Sequence, residues 1–189
     1  MGQIYPQLDS ALIEWIKAQH VFFVSTAPLT ENGHINCSPK GLDGSFAVTG
    51  PNEVAYLDLT GSGAETIAHL RENGRITIMF CAFEGKPRIL RLYGQGEVVY
   101  PHHPDFDALS SHIEKRTGTR SIIRIKVSRI ADSCGYGVPL MDFQKDREAL
   151  TASHARKGED ALQSYREEKN RISLDGLPAW NPDSQKDLI

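Results

Sequence analysis

Between residues 21 and 130 the chain is written mostly in short apolar or alternating runs of strand length, interrupted by two stretches with the spacing of an amphipathic helix. Ahead of them, Asp9 or Ser10 can cap a helix reaching about residue 19. It carries Leu12, Ile13 and Ile16 on one side and Glu14 and Lys17 toward water, as a lid packed on a sheet would. Residues 21–26 and 35–40 read as a hairpin across the turn-rich 28–33. Residues 45–49 and 53–59 add two strands turned by Gly50-Pro51-Asn52. Ser62 opens a short helix with Ala64, Ile67, Ala68 and Leu70 on one side, and Asn73-Gly74 supplies its left-handed stop.

Residues 75–83 form an almost continuous apolar strand, and Glu84-Gly85-Lys86-Pro87 turns it into a long strand over 88–100. Gly94 and Gly96 mark a bulge or bend there, of the kind that lets a sheet close on itself. Residues 105–115 read as helical. Over 121–130, Ile123, Ile125 and Val127 alternate with Arg124, Lys126 and Ser128, as in a half-exposed strand. Six or seven antiparallel strands with two or three small helices predict a mainly β, α+β fold, a closed or split β-barrel. From about Asp142 the pattern turns polar and helical, most clearly over 160–170, and closes on Leu174 to Trp180. The expected organisation is therefore a barrel over 1–141 and a helical arm over 142–189 that packs on the barrel or on the partner subunit.

Composition narrows the partners. With 21 basic against 24 acidic residues, the net charge of −3 provides no cationic field for a nucleic acid backbone or an anionic membrane. No apolar run approaches the roughly 20 residues that span a bilayer, and the first residues lack the basic and apolar regions of a signal peptide, so a cytoplasmic protein is expected. Cys37, Cys81 and Cys134 are odd in number and form no CxxC pair, which argues against disulfides and zinc. His102-His103-Pro104 lacks a third ligand at any evident spacing, so no metal is expected.

Candidate chemistry concentrates at four places. Thr60-Gly61-Ser62-Gly63-Ala64-Glu65-Thr66 reads as a helix N-terminus built to face an anion, because glycines admit close approach and first-turn amides have no helical partner. Ser62 with Glu65 is equally an ordinary capping box. Strand alternation puts Asn36, Ser38 and Lys40 on one face, suited to a phosphate or a ring edge, or to a solvated sheet edge blocked by Pro39. Tyr56 and Asp58 share the face leading into the glycine turn, where Asp58 either orients a ligand or caps the turn. Arg88 and Arg91 fall on opposite faces, so at most one points at a given site. Gly135-Tyr136-Gly137 either lays the Tyr136 ring against a planar ligand or forms a structural corner.

Taken in order, the Ser38-Pro39-Lys40-Gly41 strand end, the Tyr56 to Gly63 turn, Asn73-Gly74-Arg75-Ile76 and the strand Arg88 to Gly94 resemble the pyridoxamine 5′-phosphate oxidase-like family of flavoproteins over about residues 10–140. The runs Gly61 to His69 and Ser133 to Pro139 are similar to those of one branch of that family. The resemblance implies a split β-barrel that forms a homodimer and binds FMN in clefts at the dimer interface. Lys40 and Ser38 match the family's second-strand phosphate site, and Thr60, Gly61, Ser62, Gly63 and Thr66 its phosphate turn. Asn36, Tyr56 and Asp58 would complete the pocket, and Tyr136 or Arg88 would border the ring. Where the oxidase has Ser-Arg-Lys this chain has Ala64-Glu65-Thr66, and where the oxidase has Arg-Gln it has Arg88-Ile89. The oxidase's C-terminal substrate pattern is absent. An FMN-dependent oxidoreductase acting on another small molecule is the expected function; a non-catalytic carrier of flavin, haem or deazaflavin is the alternative.

Overall fold

A computed structural model describes residues 2–182. Its strands are β1 (Ile4–Tyr5), β2 (Phe22–Thr26), β3 (Asn36–Lys40), β4 (Phe46–Gly50), β5 (Glu53–Leu59), β6 (Arg75–Cys81), β7 (Ile89–Val99) and β8 (Thr119–Ser133). The helices are α1 (Ser10–Lys17), α2 (Glu65–Asn73), α3 (Phe106–Ser110) and α4 (Ala149–Lys169). Met1 and residues 183–189 of the expected arm lie outside the described residues.

All strand pairs are antiparallel, in the order β3-β2-β6-β7-β8-β5-β4, with β1 added to the far end of β8. Although β2 and β4 stand far apart in that order, Phe22 and Phe46 meet with ring centroids 5.0 Å apart, and Phe22 reaches Tyr56 of β5 at 5.5 Å. The sheet therefore curls until its inward faces pack on each other, giving an open antiparallel barrel split between β3 and β4. Gly94 explains part of the curl. The β7–β8 register slips between Tyr93 and Gly94, and a Cβ at Gly94 would meet the Lys126 carbonyl oxygen at 2.2 Å.

Alternation and capping account for most element boundaries. The Asp9 carboxylate accepts from the Leu12 amide at 2.8 Å and starts α1, which buries Leu12 and Ile16 against the core. β1 has no counterpart in the sequence expectation, and two further elements differ from it. α3 stops after five residues because the Ser110 and Ser111 hydroxyls donate to the carbonyls of Asp107 and Ala108. β8 is buried on both faces in its first half, since Ile122 joins Leu57, Val99, Leu109 and Ile113 in a second core on the outer side.

The arm returns along its own barrel. α4 is broken at Gly158 (φ 75°, ψ 167°), and its second half leads to Trp180, which is 4% exposed within the main core. Beside it, Ala179 packs on Ala64, just before α2, and on Ala68 within it. Among the described residues no helix is long and apolar enough to cross a membrane.

Candidate functional site

As the edge strand, β3 leaves Cys37 and Pro39 exposed and turns Asn36, Ser38 and Lys40 inward, where they are half-buried. The Ser38 hydroxyl donates to Asn36 Oδ1 (2.9 Å). Asn36 Nδ2 donates to Thr66 Oγ1 (3.0 Å) and Thr26 Oγ1 (3.1 Å), joining the sheet edge to the first turn of α2. Thr26 Oγ1 in turn lies 2.9 Å from Nδ1 of His69. The fully buried Tyr56 hydroxyl sits beside Thr66 without a well-formed hydrogen bond. Burial pushes the Tyr56 phenol well up, reinforced by the nearby Asp58 charge. Burial likewise pushes the His69 imidazole down, against the raising effect of Asp175, Glu65 and Glu72. Both side chains are closed off from solvent.

Asp58 has a different task from either that the sequence offered. Its carboxylate receives Nε and Nη2 of Arg120 at 2.8 and 2.9 Å and the Ser121 hydroxyl at 2.9 Å, in full burial. Burial alone would raise its pKa, but Arg120, with help from Lys40 and Ser121, holds the carboxyl below its usual value. Arg120 Nη1 also donates to the Gly63 carbonyl (3.0 Å) and to Asn170 Oδ1 (2.9 Å).

The glycine turn is gripped from behind. Thr60 is 2% exposed, its hydroxyl donating to the Gly118 carbonyl (3.0 Å) and accepting from Arg166 Nε (2.7 Å). His154 Nε2 lies 2.9 Å from the Thr60 carbonyl, with Nδ1 3.1 Å from that of Thr117. Gly118 (φ +83°) makes room for that ring, since a Cβ there would meet Nδ1 at 2.3 Å. Asn170 Nδ2 donates to the Gly61 carbonyl at 2.9 Å. The Ser62–Glu65 capping box does not form: Ser62 is exposed, α2 starts after Ala64, and no side chain caps it. Glu65 instead folds over Gly63, with Oε2 2.7 Å from where a Cβ would stand, and Oε1 accepts from the Leu174 amide at 3.3 Å.

Arg88 and Tyr136 lie elsewhere. Arg88 is engaged by Asp132 (Nη2 to Oδ2, 2.9 Å) and the Tyr5 hydroxyl (2.7 Å), with its guanidinium 5.2 Å over the Trp15 ring. Tyr136 is 82% exposed, and the two line a cleft of about 640 Å³ with Trp15, Lys86 and Cys134 that shares no residue with the β3–α2 cluster. Arg91 points the other way, to the Ser133 hydroxyl, as alternation requires.

Sequence reasoning therefore located Asn36, Ser38, Lys40, Tyr56, Asp58 and Thr66, which the fold brings together, but missed Thr26, His69, Arg120, His154, Arg166 and Asn170. Thr26 was within reach, because a hairpin register pairs it with Asn36. The 166/170 spacing puts Arg166 and Asn170 on one side of a helix, yet nothing local names the turn they grip.

These features define a small open-barrel protein with a hydrogen-bonded polar cluster at its split edge and a glycine turn beside it. Residues 8–134 match the family model described as pyridoxamine 5′-phosphate oxidase, and the chain belongs to that family. It is 43% identical over 194 residues to the pyridoxamine 5′-phosphate oxidase family protein ustO of Aspergillus flavus, in a match covering 94% of this chain and 78% of that protein. The fold is similar to HupZ of Group A Streptococcus in two crystal structures. One gives a TM-score of 0.53 at 19% identity over 67% of this chain and 99% of that one. The other gives 0.51 at 21% identity over 65% and 90%. The family match ends before α4, whereas the ustO match takes in most of the arm.

Proposed function

We propose that this protein binds FMN at the split edge of the barrel and acts as a flavin-dependent oxidoreductase on a small molecule. The observation that carries the reading is the hydrogen-bonded cluster joining Ser38 and Asn36 to Thr66, with Lys40 alongside, in a member of this family. The donor set suits a phosphate monoester: one ammonium, hydroxyls from two elements, an amide, and the unpaired first-turn amides of α2. When bound, FMN would supply hydride or electron transfer. Lys40 would neutralise the phosphate, Ser38 and Thr66 would offer hydroxyls to it, and Asn36 would hold those hydroxyls in place. Asp58 is spent on Arg120, while Tyr56 and His69 are buried, so the cluster offers no evident general acid or base. Since Arg88 and Tyr136 open on a separate cleft, they would border the ring only across a homodimer.

Purified protein should be yellow or reconstitute with FMN, and a colourless preparation that takes up no flavin overturns the reading. Lys40→Ala should weaken FMN binding about 10- to 100-fold, the value of a hydrogen bond to a charged group, as read by flavin fluorescence titration. Because Lys40 is half-exposed, its melting temperature should barely change. Glu65→Gln should tighten FMN several-fold, because a carboxylate at the phosphate turn repels a dianion. Unchanged affinity would place the phosphate away from the turn. The same lack of an acid or base fits a carrier that never turns over, and reduction of the bound flavin by NADH or NADPH in steady state separates the two.

A further inference from the structure

We propose that the C-terminal arm is a working part of the phosphate site, with Asn170, His154 and Arg166 as positioning residues that hold the glycine turn open to an anion. This rests on the FMN reading above and deepens it.

The carbonyls of Thr60, Gly61 and Gly63 are taken from the inner side by His154 Nε2 (2.9 Å), Asn170 Nδ2 (2.9 Å) and Arg120 Nη1 (3.0 Å). No cis peptide bond occurs among the described residues. In a planar trans peptide the N–H points opposite to its C=O. Fixing those three oxygens inward therefore turns the amides of Gly61, Ser62 and Ala64 away from the arm. Among the described residues, none of the three is paired with an acceptor. With the first-turn amides of α2 they form a run of donors suited to phosphate oxygens.

One buried side chain independently marks the place as awaiting a ligand: the Tyr56 hydroxyl, wholly buried, is unsatisfied beside Thr66 at the start of α2. On the arm side, Arg166 is 5% exposed and touches Thr60 through Nε, while its Nη2 has no hydrogen-bond partner. Such groups cost free energy unless something pairs with them. Arg166 also keeps a cation behind the turn, its Nη1 2.7 Å from the exposed Glu159. None of these arm residues lies within the part of the chain matched by the family model. The arm thus supplies a cation, Arg166, behind a turn whose own residues are Ala64, Glu65 and Thr66.

The test compares FMN with riboflavin, which lacks only the phosphate, in wild type, Asn170→Ala and Arg166→Gln, each checked as folded by circular dichroism at the titration temperature. The expected result is about a tenfold loss of FMN affinity with riboflavin unchanged, so that the preference for the phosphorylated ligand shrinks. Equal losses for both ligands, or no loss, would overturn the proposal by making the arm a structural support alone. Should wild type bind neither flavin, the FMN reading falls, and inorganic phosphate decides the arm's role. A melting temperature raised by phosphate in wild type but not in Asn170→Ala upholds the clamp, and no rise in wild type overturns it.

Discussion

Asp58→Ala is expected to lower the free energy of unfolding by about 3–5 kcal/mol, because it strands the Arg120 guanidinium as an uncompensated buried charge. For a chain of this size that is a fall of roughly 6–20 °C in melting temperature, and urea unfolding should show an earlier midpoint at unchanged slope. The pair does not have to be ionic to be stable. Asp58→Leu combined with Arg120→Met should recover much of the loss, since apolar replacement of both partners removes the desolvation penalty along with the attraction. Acid should act at the same place. Burial raises the Asp58 pKa, but Arg120 brings it below the unfolded value, so the folded state binds the proton less readily than the unfolded chain. The associated stability is present above about pH 4 and is lost as pH falls through the lower folded value. Asp132 titrates in the same sense. Burial raises it, but the Tyr5 hydroxyl, the Gln3 amide and Arg88 bring it below the ordinary carboxylate value. An Asp58→Ala variant whose stability falls with acid as steeply as wild type would remove this carboxylate from the account.

Trp180→Ala carries a comparable expected cost, about 3–5 kcal/mol, as for other large aromatic side chains cut out of a packed core. Its effect should reach beyond packing. The Trp180 amide donates to the Asn170 carbonyl at 2.8 Å, and the neighbouring Ala179 seats the arm on Ala64 and Ala68 at the start of α2. Loosening this anchor should expose the arm between residues 142 and 170 to limited proteolysis well below the melting temperature of the barrel. An arm that stays protected while global stability falls would show that the helix is held by Arg166, Asn170 and His154 without the tryptophan.

The barrel was legible because its strands state their own period. β5 matches the expected 53–59 to the residue, and Gly94 announced the register slip that bends β7 on β8. The inward face of Asn36, Ser38 and Lys40 was readable for the same reason: alternation is local. What escaped depends on distant pairing. Arg120 looked like one more residue near a strand end, and only the fold shows it between Asp58 and Asn170, 62 and 50 residues away. The Ser62–Glu65 spacing satisfied a local capping rule, yet the arm offers Glu65 the Leu174 amide from 109 residues away and leaves Ser62 in solvent. Residues 121–130 looked half-exposed for a similar reason, since nothing nearby in sequence reveals that Leu109 and Ile113 cover Ile122.

The arm lends its nitrogens to a turn that belongs to the barrel, and that fixes where the molecule can be divided. Residue 141 marks a change in composition without being a seam. A barrel severed there would leave the carbonyls of Thr60 and Gly61 facing no donor, and Arg120 short of Asn170. Grafting this barrel onto another tail, or this tail onto a relative's barrel, therefore succeeds only when turn and arm travel as a matched pair.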